Sequence, residues 1–78
     1  MFTLREDALA VLGVMAVGSP VTIKQLVRDT GLSARKARSR VVWLVQGDLV
    51  RHAGWDRPNA NLWEITDIGR EFLNEALK

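Results

Sequence analysis

The sequence contains no cysteine and only one histidine, His52, among its 78 residues. Without cysteine there can be neither a disulfide framework nor a thiolate metal site, which suits a reducing cytosol, so we expect a cytoplasmic protein. A single histidine cannot supply both a catalytic triad and a metal site, and we expect no metal and no cofactor. The sequence also lacks a glycine-rich phosphate loop, paired carboxylates and a nucleophile–base arrangement, so we expect no enzymatic activity.

A long apolar run is missing as well. The most apolar stretch, Ala8 to Val17, is far short of a membrane span, and it follows the acidic Glu6 and Asp7 where a signal peptide would carry positive charge. We therefore expect a buried first helix and no association with a membrane. The length leaves room for one small core, so residues 1–78 are predicted to form a single domain.

The formal net charge of +2 conceals an uneven distribution. Residues 33–58 hold six basic residues against two acidic ones, for a net charge of +4, and the rest of the chain has a net charge of −2. The six are Arg35, Lys36, Arg38, Arg40, Arg51 and Arg57. Concentrated positive charge favours an anionic partner, although a solvated basic face without a partner is the simpler alternative.

Capping patterns mark the first two helices. Thr3 and Glu6 have the spacing of a capping box at the start of the first helix, and Thr22 and Gln25 repeat that spacing at the second. Gly31 is placed to take the left-handed conformation after the second helix. The apolar residues that follow at helical spacing are predicted to be buried, namely Leu4, Ala8, Val11, Leu12, Met15, Ile23, Leu26 and Val27, with Leu32 filling the turn.

A third helix is predicted from about Ala34 to Gln46, with Ser33 as its N-cap. A helical wheel of about 100° per residue gives it one apolar and one cationic side. The inward side consists of Ala34, Ala37, Val41, Leu44 and Val45. The outward side consists of Arg35, Lys36, Ser39, Arg40 and Trp43, with Arg38 on the flank. Long cationic donors of this kind can reach guanine edges or phosphates.

A two-stranded hairpin and a last helix complete the pattern. The strands are predicted at residues 49–53 and 62–65, and the turn formers in residues 54–61 predict a loop too long for a tight hairpin. Trp63 is expected to pack the hairpin onto the helices, and His52 to lie at the surface. Thr66 is the predicted cap of the last helix, whose inner stripe would be Ile68, Phe72, Leu73, Ala76 and Leu77.

This order of elements, with the segments GDLVRH and LWEITDIGREFL, resembles the winged helix-turn-helix regulators of bacteria, archaea and their viruses, particularly the compact MarR-like branch. In that family a strand ending in Ile-Thr or Leu-Thr leads into a helix with glycine three positions later, as Ile65, Thr66 and Gly69 do here. The resemblance covers about residues 4–77. It implies an α+β fold with three helices, a two-stranded wing hairpin and a C-terminal helix.

The resemblance also implies a transcriptional regulator of double-stranded DNA, more often a repressor than an activator. Its recognition helix, about residues 34–46, would enter the major groove, and its wing, about residues 51–63, would contact the backbone or the minor groove. The base-reading candidates carried over from the family are Arg35, Lys36, Ser39 and Arg40, and the wing candidates are Trp55, Arg57 and Asn59. The helical wheel adds Arg38 as a phosphate contact, and Ser33 at the start of the helix completes the predicted DNA-binding residues.

Larger members of that family have long terminal helices for dimerisation and an effector pocket. Because neither is recognisable in the sequence, we expect no small-molecule effector. We expect a weak homodimer or a cooperative assembly on DNA, formed through Phe2 near the N-terminus and through Phe72, Leu73 and Leu77 of the last helix.

Some alternatives stay open at this point. Winged helices also serve as protein–protein adaptors, and an architectural DNA-binding protein of a virus or mobile element would share the same features. An adaptor is expected to lack a cationic outer helix face, which favours DNA. Trp43 could pack beneath the wing, contact a DNA sugar or form a protein interface, and Trp55 could contact a partner or pack within its own loop.

Overall fold

The computed structural model describes residues 4–57 and 60–78, apart from the side chain of Leu4. Within these residues the elements follow in the order α1 (Leu4–Val17), α2 (Ile23–Thr30), α3 (Ala34–Gln46), β1 (Val50–Arg57), β2 (Ala60–Ile65) and α4 (Asp67–Ala76). The predicted α+β winged helix-turn-helix is confirmed. None of the described helices is long and apolar enough to cross a membrane. Thr3, the predicted cap of α1, lies outside the described residues.

The caps of α2 and α3 form as predicted. The Thr22 hydroxyl accepts a hydrogen bond from the Gln25 backbone N at 3.2 Å, and Gln25 Oε1 accepts one from the Thr22 backbone N at 2.8 Å. This reciprocal capping box satisfies donors that the first turn of α2 cannot pair internally. Gly31 ends α2 with a φ of 78°, in the left-handed region that glycine adopts without strain. Ser33 then caps α3 by accepting from the Lys36 backbone N at 3.1 Å.

The core lies where α1, α3 and the hairpin meet the short α2. It contains most of the residues predicted to face inward, including Ala8, Val11, Leu12, Met15, Leu26, Leu32, Ala37, Val41 and Leu44. Ile23, Val27 and Val45 are partly buried and pack against it. Ala34 is exposed, contrary to the prediction. Its neighbours Ser33, Arg35 and Lys36 are exposed as well, so the start of α3 lies at the surface and not against the core.

The hairpin is longer than predicted. Antiparallel pairing runs from Val50 opposite Ile65 to Arg57 opposite Ala60, so only residues 58 and 59 separate the last pair. The prediction of a long loop over residues 54–61 is therefore wrong. Turn-forming residues there coincide with two irregularities in the register, between His52 and Gly54 and between Trp55 and Arg57, which are bulges that bend and twist the wing.

The inner side of α4 differs from the predicted stripe. Leu73 is buried and Ala76 is partly buried, but Ile68, Phe72 and Leu77 are exposed. The central contact is made by Gly69, because α4 approaches the hairpin so closely there that a Cβ atom would lie 2.2 Å from the Leu49 carbonyl oxygen. This contact turns the side of residues 69, 73 and 76 toward the core and leaves the apolar flanks of the helix in solvent.

Candidate nucleic-acid interface

A stripe of side chains on the outward side of α3 lines a shallow depression, which we call the α3 face. Its members are Arg35, Arg38, Ser39 and Val42, and all four are exposed. They are spaced three, four and seven residues apart, so they lie above one another on the helix. At about 1.5 Å per residue the stripe is about 10 Å long, which is close to three base-pair steps of about 3.4 Å.

A second depression, the wing groove, lies between α3, the start of α2 and the hairpin. The side chains that define it are Lys24, Arg38, Val42, Asn61 and Trp63. Arg38 and Val42 also belong to the α3 face, so the two depressions form one continuous surface. Two backbone hydrogen bonds of 2.8 Å between Val21 and Trp63 hold the hairpin beside α2 and fix one wall of the groove.

The cations at the start of α3 lie where the sequence predicts them. Arg35, Lys36 and Arg38 are exposed, and within the described part of the chain no ion pair engages them. Their charge is therefore available to an anionic partner. Ser33 and Ser39 are exposed beside them. Although the Ser33 oxygen accepts the capping hydrogen bond, its hydroxyl hydrogen can still be donated.

The outward placement of Arg40 on the helical wheel is wrong. Its side chain is only 21% exposed, and its Nε lies 3.7 Å from Oδ2 of Asp7, a carboxylate that is 5% exposed. Arg40 sits on the flank of α3 next to buried residues such as Leu44, so its long side chain reaches α1 instead of the open surface. The residue links two helices, and we leave it out of the proposed interface.

The wing contributes an aromatic cluster. The His52 ring centroid lies 4.8 Å from that of Trp55 and 5.2 Å from that of Trp63, both in edge-to-face geometry. His52 Nε2 also lies 3.0 Å from Asn61 Oδ1. Trp63 packs against the core, as predicted, whereas Trp55 is 67% exposed. Trp55 thus packs within its own hairpin, which is one of the two alternatives considered for it, while contact with a partner stays a prediction.

The two wing arginines differ in their surroundings. Arg51 forms an ion pair with Glu64, which lies directly across the hairpin. Arg57 is exposed at the end of β1, and among the described residues it has no ion-pair partner. Of the two wing arginines, Arg57 is therefore the one whose charge is available to an anionic partner. Asn59, the other wing residue assigned by resemblance, lies outside the described residues.

Sequence reasoning missed two members of this surface. Lys24 is exposed in the first turn of α2 and lines the wing groove, but only the tertiary fold brings it beside the hairpin. Val42 was detectable, because the helical wheel places it between the cations instead of with the apolar side. The sequence signal for Val42 is an apolar residue on the otherwise polar side of a helix.

Trp43 does not lie beneath the wing. Arg38 and Val42 occupy that side of α3, and Trp43 is turned away from Val42 by about 100° around the helix axis. Its side chain is partly exposed. Contact with a DNA sugar and a protein interface are the two hypotheses that remain for this residue.

The fold and this surface together define a winged helix-turn-helix with a basic outward helix beside its hairpin. BpsR of Bordetella bronchiseptica, whose DNA binding is regulated by 6-hydroxynicotinic acid, matches with a TM-score of 0.83 and 17% identity, over 91% of this chain and 55% of BpsR. The PcaV transcriptional regulator of Streptomyces coelicolor matches with a TM-score of 0.83 and 17% identity, over 88% and 52%. A probable transcriptional regulator of Pseudomonas aeruginosa matches with a TM-score of 0.79 and 24% identity, over 86% and 52%.

The chain spans about half the length of these regulators. No protein-family model and no curated protein matches the sequence. The similarity therefore rests on three-dimensional structure, and what it shows is a shared winged-helix fold.

Proposed function

We propose that this protein binds double-stranded DNA in a sequence-specific manner and acts as a transcriptional regulator, most simply as a repressor. The observation that carries the proposal is a group of exposed cations with no ion-pair partner among the described residues. Seven side chains meet this description. Arg5 lies on α1 and Arg70 on α4. The other five, which we call the free cations, are Lys24, Arg35, Lys36, Arg38 and Arg57. They surround the α3 face and the wing groove, which is the side that winged helices present to DNA.

Ion pairs compensate some of the cations outside this group. Arg28, Arg40 and Arg51 each pair with a carboxylate, namely Asp29, Asp7 and Glu64. Arg40 and Arg51 belong to the basic segment of the sequence, yet their charges are compensated away from the proposed interface. Within residues 33–58, the cations left without an ion pair are therefore Arg35, Lys36 and Arg38 at the start of α3 and Arg57 on the wing.

The proposed geometry follows from these positions. With α3 in the major groove, Arg35 and Ser39 would approach base edges while Lys36 and Arg38 would reach phosphates. The wing would follow the backbone or enter the minor groove, with Arg57 supplying charge and the exposed Trp55 supplying contact area. Lys24 would lie beside the backbone, because the first helix of a helix-turn-helix crosses it.

The proposed assembly is a weak homodimer or a cooperative array on DNA. A single small module buries only about 600–1,000 Å² on DNA, and regulators of this kind pair their recognition helices on half-sites one turn apart. The exposed Phe72 and Leu77 of α4 offer apolar surface for such a contact. Leu73 was assigned to the same contact by sequence, but it is buried in the core and unavailable. Phe2 lies outside the described residues.

Selection of bound duplexes from a random-sequence library tests the proposed function. We expect enrichment of one motif, with two-fold symmetry if the protein pairs on DNA. A double variant, Arg35→Gln with Arg38→Gln, should lose the enrichment without unfolding, because both side chains are exposed. Retention of duplexes without enrichment would contradict sequence specificity and favour an architectural protein. No retention would favour the protein–protein adaptor.

Arg35 and Arg38 are expected to behave differently on DNA. Arg35→Ala should cost about 1–3 kcal/mol on the selected site and flatten the base preference, because a guanine edge would lose its paired donors. Arg38→Ala should weaken binding to all sequences alike, because a phosphate contact carries no base information. Competition between the selected and random duplexes measures both effects. Equal losses on both duplexes for Arg35→Ala would remove its base-reading role.

Arg57→Ala is expected to lower the salt dependence of binding by about one phosphate contact, or about 0.9 in the slope of log K against log salt. Its thermal stability should not change, because the side chain is exposed. Arg51→Ala is the matched control, since it removes the same charge from the same strand at a position already paired with Glu64. An unchanged slope for Arg57→Ala would mean that Arg57 does not contact a phosphate.

A further inference from the structure

One apolar side chain interrupts the α3 face. Val42 is 50% exposed and shares its depression with Arg35, Arg38 and Ser39. The core side of α3 is already filled by Ala37, Val41 and Leu44, so Val42 is not needed there. A β-branched residue is also a weaker helix former than alanine or lysine. Neither packing nor helix formation therefore accounts for valine at this position.

The location of Val42 indicates what it would meet on DNA. It lines both the α3 face and the wing groove, so it lies at their junction on the same helix stripe as Arg35. In the major groove the apolar feature is the C5 methyl group of thymine, which protrudes among hydrogen-bonding groups. A half-exposed valine flanked by long cationic donors has the matching chemistry, with apolar contact at one base and hydrogen bonds at its neighbours.

We propose that Val42 contacts the C5 methyl group of a thymine in the major groove and so determines specificity at that base pair. This inference rests on the proposed DNA binding and names one base contact within it. Because Val42 lies about 10 Å along the helix from Arg35, the thymine is expected about three base pairs from the one that Arg35 reads. Unmodified cytosine lacks the methyl group and would be disfavoured at that position.

Replacement of single thymines by deoxyuridine tests this contact, because it removes the methyl group and leaves base pairing unchanged. Each thymine of the selected duplex is replaced in turn, and affinity is measured by titration. For the wild-type chain, one position should lose about four-fold in affinity, the factor expected for one methylene-sized group. For Val42→Ala, the thymine and deoxyuridine duplexes should bind equally. Val17→Ala, at an exposed valine on α1, should keep the difference.

Val42→Ala should fold as the wild type does, because the side chain is half exposed and alanine is the better helix former. Thermal unfolding checks this directly. Insensitivity of the wild type at every thymine, or an undiminished deoxyuridine effect in Val42→Ala, would overturn the inference while leaving DNA binding intact. Failure to retain any duplex at about 50 mM salt would overturn the DNA-binding proposal and this inference together.

Discussion

Replacement of Gly69 by alanine is expected to destabilise the fold by about 3 kcal/mol, a large part of the stability of so small a domain. The Cβ atom would lie 2.2 Å from the Leu49 carbonyl oxygen and 2.7 Å from Cγ1 of Ile65. The carbonyl cannot move aside freely, because it accepts a 3.0 Å hydrogen bond from the Thr66 backbone N. The helix α4 would have to separate from the hairpin.

Denaturant unfolding of Gly69→Ala and of a matched glycine variant measures this effect. Gly13 lies within α1, and a Cβ atom there would meet nothing within 4 Å. Gly13→Ala should therefore be as stable as the wild type or more stable, by up to about 1 kcal/mol, because alanine is the better helix former. Wild-type stability of Gly69→Ala would contradict the close contact between α4 and the hairpin.

Arg40→Ala is expected to destabilise the fold by about 2–3 kcal/mol, whereas Arg35→Ala should leave stability nearly unchanged. The loss of Arg40 would leave the Asp7 carboxylate, which is 5% exposed, without its cation. Breaking a fully buried pair costs about 3–5 kcal/mol, and the partial exposure of Arg40 lowers the expected value. Arg35 is exposed, and no ion pair engages it among the described residues.

The two arginine variants should therefore separate stability from DNA binding. At a temperature where both are folded, Arg35→Ala should bind the selected site weakly and Arg40→Ala should bind it nearly as the wild type does. The double variant Asp7→Ala with Arg40→Ala should regain part of the stability, because no buried charge is left unpaired. Full stability of Arg40→Ala together with lost DNA affinity would return Arg40 to the outward surface that the helical wheel predicts.

The boundaries of α2 and α3 could be predicted because local interactions set them. The Thr22–Gln25 capping box, the left-handed Gly31 and the Ser33 cap each act within a few residues along the chain. The observed bounds of α3, Ala34–Gln46, match the prediction for the same reason. Most of the α3 face follows from these bounds, since a helix of known start has a known outward side.

The features that the sequence did not predict depend on contacts between residues far apart in the sequence. The direction of Arg40 depends on a carboxylate on another helix, and the exposed flanks of α4 depend on the contact of Gly69 with the Leu49 carbonyl. A bulge is defined by how one strand pairs with the other, and that pairing cannot be read from local composition. The turn-forming residues among 54–61 therefore predicted a loop, whereas the two strands pair there as an irregular hairpin. Lys24 joins the wing groove through tertiary packing alone.

The salt dependence of affinity for duplex DNA shows whether Lys24, Lys36, Arg38 and Arg57, the free cations other than Arg35, engage phosphates as proposed. The logarithm of the association constant should fall linearly with the logarithm of salt concentration, with a slope of about −4 if these four cations each displace a counterion. Arg57→Ala should make that slope shallower. No binding at about 50 mM salt, or affinity independent of salt, would contradict DNA binding through these cations and favour a protein–protein adaptor.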